Sequence, residues 1–76
     1  MVSIRSWSLV MFNRMTVRDV LNMLHPTRSV VISDLEDMPL EEGIAGGLLD
    51  ESAYLDSPAV YCENDFPYLI VAGVTV

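Results

Sequence analysis

An α+β fold, with a small and mostly antiparallel sheet and one short helix packed on it, is what this sequence predicts. Three observations carry that expectation. One amphipathic helical segment lies near the start, with a capping signal ahead of it and a proline behind it. Several short β-branched runs follow, each bounded by turn residues. A chain of 76 residues admits a single domain, so one set of elements must share one core. The expected order is β-α-β-β-short helix-β-β over residues 1–76.

Ile4 to Phe12 reads as the first strand, with Ile4, Val10 and Phe12 on one side and Trp7, Leu9 and Met11 on the other. Ser6 and Ser8 interrupt it. Residues 1–14 read equally well as an extension ahead of a start at Met15. The helix is the clearest local signal. Thr16 caps it by accepting a bond from the amide of Asp19, and Asp19 returns a bond or favours the positive end of the helix dipole. Met15 and Val20 occupy the positions of a hydrophobic staple. Val17, Val20, Leu21 and Leu24 repeat at the spacing of one buried face. His25-Pro26 ends the helix, because the residue before proline avoids the α region. Two turns do not hold alone in water, so this helix must lean on a sheet.

Ser29-Val30-Val31-Ile32-Ser33 is the strongest strand signal, and Leu35 to Pro39 is an acidic turn after it. Leu40 to Ala45 reads as a weaker strand interrupted by Gly43. Gly46-Gly47 is expected to break it, and Leu48 to Tyr54 to form a short helical turn with Leu48, Leu49 and Leu55 inward. Ser57-Pro58 opens a strand over Ala59–Glu63. Asn64-Asp65-Phe66-Pro67 supplies turn residues, and Tyr68 to Val74 completes an antiparallel hairpin.

The charge is polarised along the chain. Its four basic residues, Arg5, Arg14, Arg18 and Arg28, all precede Ser29, and only Asp19 among the acids lies with them. From Ser29 onward there are ten acids and no base, and the whole chain carries -7. Such a surface repels phosphates and anionic membranes and suits basic proteins or cations. The plainer role for these acids is to keep an apolar domain soluble. With 51% hydrophobic residues in so short a chain, a homodimer or a bound partner would help to cover the excess. The lone Cys62 rules out an intramolecular disulfide, and one Cys with one His rules out the common zinc sites. The apolar run Trp7–Phe12 is too short for a signal-peptide core, which points to the cytoplasm.

No motif points to catalysis. Cys62 stands mid-strand as a small core hydrophobe, and His25 sits at a helix end, so a Cys62–His25 pair is a minor alternative. The carboxylates Asp34, Glu36, Asp37, Glu41 and Glu42 invite calcium. With Asp34 first in a calcium loop, however, the sixth position is Pro39 rather than glycine. Gly43, Gly46 and Gly47 fit no phosphate-loop pattern. No cofactor and no metal site are expected. The sharper expectation is an acidic ridge of Asp34, Glu36, Asp37, Glu41, Glu42, Asp50 and Glu51. Such a ridge imitates a phosphate backbone and gains on-rate by steering.

The stretch from Met15-Thr16-Val17-Arg18-Asp19-Val20-Leu21, through Val30-Val31-Ile32 and its acidic turn, resembles a group of short acidic proteins encoded by phages and mobile elements of bacteria. Glu42-Gly43-Ile44-Ala45-Gly46, Leu48-Leu49-Asp50 and the closing Val/Ile-rich hairpin extend the resemblance over roughly residues 15–74. Residues 1–14 and Pro67 depart from it. The resemblance implies a phage-linked accessory role. Such proteins include inhibitors of host defence, anti-CRISPR proteins among them, and some act as nucleic-acid mimics. No functional residue transfers, because the group has no motif of assigned role to match. The expected function is a non-enzymatic module in the host cytoplasm that offers its acidic ridge to a basic host protein, such as a defence nuclease. The alternative is a self-associating structural domain built on Trp7, Met11 and Phe12.

Overall fold

The computed structural model describes residues 15–74. The strand expected over Ile4–Phe12, and with it Trp7, Met11 and Phe12, lies outside the described residues.

Helix α1 runs over Val17–Met23, and its start is the predicted capping box. The Thr16 hydroxyl accepts from the Asp19 amide at 3.2 Å, and the Asp19 carboxylate accepts from the Thr16 amide at 3.0 Å. Val17, Val20 and Leu21 are fully buried, and Leu24 packs against them from the helix end. Burying each of those side chains contributes about 1.5–3 kcal/mol as an upper bound, which is what holds a helix of only seven residues.

Strands β1 (Ser29–Ser33), β2 (Pro39–Ile44), β3 (Ala59–Glu63) and β4 (Tyr68–Ala72) form one sheet in the order β2-β1-β4-β3. β1 pairs antiparallel with β2, and β3 antiparallel with β4. The central pair, β1 with β4, is parallel, so the sheet is mixed. The parallel centre follows from the connections. Two hairpins lie side by side, and the second helix carries the chain from the β2 edge to the β3 edge. Ahead of α1, the Met15 carbonyl accepts from the Ala59 amide and Thr16 bridges Pro58, which ties the start of α1 to β3.

Helix α2 covers Ala45–Glu51. This corrects one expectation: Gly46-Gly47 do not break the chain but lie in the first turn of α2, which begins straight out of β2. The reason is tertiary. The Ala45 amide donates to the Arg28 carbonyl and the Gly46 amide to the Pro26 carbonyl, so the loop after α1 satisfies amides that the helix leaves free. Leu48 enters the core, and Leu49 and Leu55 pack against it. Val30 and Ile32 of β1 and Ile70 and Ala72 of β4 meet α1 and α2 in one buried cluster. Both helices therefore lie on one face of the sheet.

Candidate functional site

The seven predicted acids separate by environment. Asp34 is 2% exposed, and its Oδ1 accepts from the amides of Glu36 and Met38 at 2.9 Å each. Its carboxylate organises the β1–β2 turn and offers nothing to a partner. That turn also holds Asp37 at φ 71, the left-handed region that aspartate enters more readily than most residues. Glu41 is half-buried with one oxygen accepting from the Ala53 amide at 3.1 Å, which fastens the end of α2 to β2.

Glu36, Asp37, Glu42, Asp50 and Glu51 are exposed. The fold brings two of them, Glu42 and Glu51, together at one edge. β2 is an edge strand, and α2 doubles back along it, with Leu48 beside Gly43 and Ala53 beside Glu41. The C-terminal end of α2 therefore points toward the turn that carries Glu36 and Asp37. Glu41, Glu42 and Glu51 line a shallow groove of about 230 Å³ with Leu48 and Ser52. Among the described residues the one salt bridge is Arg18 with Asp56, between exposed side chains, and such pairs contribute little. None of the five exposed acids has a basic partner among the described residues.

The remaining chemistry-bearing residues are occupied. Cys62 contacts Tyr68, and burial pushes its thiol up to about 11 while the hydrogen bond to Tyr68 pulls the other way. Burial also raises the Tyr68 phenol. His25 accepts from the Thr27 amide at 3.2 Å through Nδ1 and closes the turn after α1. Among the described residues no group of three or more His, Cys, Asp or Glu side chains is placed to hold a metal ion.

Two further features are set by the fold. Arg28 stacks on the rings of Phe66 and Tyr68, 4.7 and 5.3 Å from their centroids, and its Nη2 donates to the Asn64 side chain at 2.9 Å. It thereby braces the β3–β4 turn against the foot of β1. The second is the apolar sheet face opposite the helices, which carries Val31, Leu69 and Val71. A signal for it is present in β1, where Val30-Val31-Ile32 is apolar at every position instead of alternating. Among the described residues no helix is long and apolar enough to cross a membrane. Comparison with protein-family models, with curated proteins and with solved structures finds no match to this chain.

Proposed function

We propose that this chain is a non-enzymatic protein-binding module whose acidic edge engages a basic surface of a partner, of the kind that otherwise holds nucleic acid. The observation that supports this most is the separation of roles among the acids. Asp34 and Glu41 serve the fold, while Glu36, Asp37, Glu42, Asp50 and Glu51 stand exposed without a basic partner among the described residues, and Glu42 and Glu51 line one groove at the β2 edge. Carboxylates that repel one another at one edge cost stability, and a cationic partner offsets that cost on binding. The phage-type resemblance adds a partner class: a host defence nuclease with a basic groove, which the acidic edge would occupy in place of nucleic acid.

The test is binding of the chain to such a nuclease, with and without its nucleic acid, across a salt series. Affinity should fall by about tenfold or more between low and high salt, because exposed charges are screened. Nucleic acid should compete. The triple variant Glu42→Gln, Asp50→Asn, Glu51→Gln should bind more weakly at low salt and show a shallower salt dependence. An affinity indifferent to salt and to the triple variant refutes the proposal.

A further inference from the structure

The sheet face turned away from α1 and α2 has no element over it among the described residues. The register sets one row of residues straight across it: Glu42 on β2, Val31 on β1, Leu69 on β4 and Glu63 on β3. Ile32 and Ile70, one position along, are fully buried beneath the helices, so Val31 and Leu69 face outward. Both are only half-buried. The row is thus aliphatic in the middle and carboxylate at each end. The Tyr61 hydroxyl donates to the Glu63 carboxylate at 3.0 Å and fixes that end. Alongside runs a groove of about 600 Å³ lined by Val31, Ile44, Phe66 and Pro67, with Glu42 at its wall. Ile44 is 48% and Phe66 87% exposed.

We infer that this face docks an extended segment of the protein partner that is both basic and apolar. The inference rests on the acidic-surface reading and names the part of the partner that is recognised. Three strand-to-strand steps of about 4.8 Å place Glu42 and Glu63 about 14 Å apart. An extended chain laid across the strands advances about 3.4 Å per residue and turns every second side chain to the same face. Four residue steps span the row, so the matching five-residue segment has a Lys or Arg, then an apolar residue two positions on, then a second Lys or Arg after two more. The apolar residue rests on Val31 and Leu69, and the cations meet Glu42 and Glu63.

Charge disfavours three other occupants. A purely apolar segment would strip water from Glu42 and Glu63 without pairing them. A second copy of this face would set carboxylates against carboxylates. Nucleic acid has the wrong sign.

The test uses the full chain, isotope-labelled in its methyl groups, and two synthetic peptides. One has lysine at its first and fifth positions, leucine at its third and serine at the others; the second has serine in place of the leucine. The leucine peptide should shift the methyl signals of Val31, Leu69 and Ile44. It should also bind about tenfold tighter than the serine peptide, as expected for burying one leucine side chain. Ile44→Ser, at an exposed position, and Leu69→Gln should each abolish that preference while the rest of the spectrum is retained. Equal binding of the two peptides overturns the inference and leaves the acidic-surface reading standing. Binding of neither also overturns the inference, and the salt series with the nuclease decides the acidic-surface reading separately. Trp7 is the only tryptophan of the chain. If its emission is blue-shifted in the free chain and moves to the red in Leu69→Gln, the chain's own first residues occupy the face and the inference falls. It falls likewise if sedimentation shows a dimer that Ile44→Ser dissociates.

Discussion

At the scale of single residues, the fold turns chemically capable groups into structural ones. Cys62 is the plainest case, because its thiol is pushed from 9.0 up to about 11 by burial. Near pH 8 that shift lowers its thiolate fraction about a hundredfold, while the greater nucleophilicity of a more basic thiolate recovers part of the rate. Alkylation by iodoacetamide in the folded chain should therefore run about tenfold slower than in the same chain unfolded in urea. A folded-state rate equal to the unfolded one would show that the thiol is not shielded. The linkage has a definite sign. A folded pKa above the unfolded value means that the Cys62 contribution to stability is full below pH 9.0 and is lost as the pH rises through about 11. The role of Cys62 as a small strand hydrophobe was legible from its place between Tyr61 and Glu63. Its contact with Tyr68 was not, because that depends on the β3–β4 register. Asp34 is the opposite case: it directly follows β1, and its carboxylate meets the amides two and four residues on.

At the scale of elements, legibility follows how local each determinant is. The start of α1 was readable because Thr16 and Asp19 satisfy each other within three residues. β1, β3 and β4 were readable from β-branched and aromatic runs between turn residues. α2 starts earlier than its own residues predict because its first turn depends on a neighbour distant in sequence, the Pro26–Arg28 loop that accepts its amides. This makes the two adjacent glycines unequal. A Cβ on Gly46 would lie 3.2 Å from both the Cβ and the carbonyl oxygen of Pro26, and that backbone cannot easily give way because it bonds the Gly46 amide. A Cβ on Gly47 would meet only Ile44 Cγ1, at an ordinary 3.6 Å. Alanine gains up to about 1 kcal/mol over glycine in a helix. Gly47→Ala should therefore raise the unfolding free energy measured in urea by a few tenths to about 1 kcal/mol, whereas Gly46→Ala should leave it unchanged or lower it. The reverse order would mean that the Pro26 loop does not set the start of α2. The strand order was the least legible element-level feature. Hydrophobic runs identify strands but do not say that β4 returns to the middle of the sheet beside β1.

For the molecule as a whole, the balance of charge sets stability and binding against each other. All eleven carboxylates of the chain lie in residues 15–74, where the basic residues are two arginines and one histidine. Arg28 is held by Asn64, Phe66 and Tyr68, and Arg18 by Asp56, so neither reaches the β2 edge in the way a partner's cation would. Self-repulsion among exposed acids lowers the stability of the folded state, and salt relieves it by screening. Raising the salt concentration at pH 7 should therefore raise the Tm of the free chain while weakening its binding to a basic partner. The same opposition should appear on mutation. The variant Glu42→Gln, Asp50→Asn, Glu51→Gln should melt at a higher temperature than the parent in dilute buffer, and the difference should shrink at high salt. It should also bind a basic surface less well. Thermal melts of parent and variant at two salt concentrations decide the matter. If the variant melts lower at both, these carboxylates support the fold as Asp34 and Glu41 do, and the β2 edge loses its claim as a surface set aside for a partner. If it melts higher, the chain keeps at this edge a set of charges that its own folding does not require.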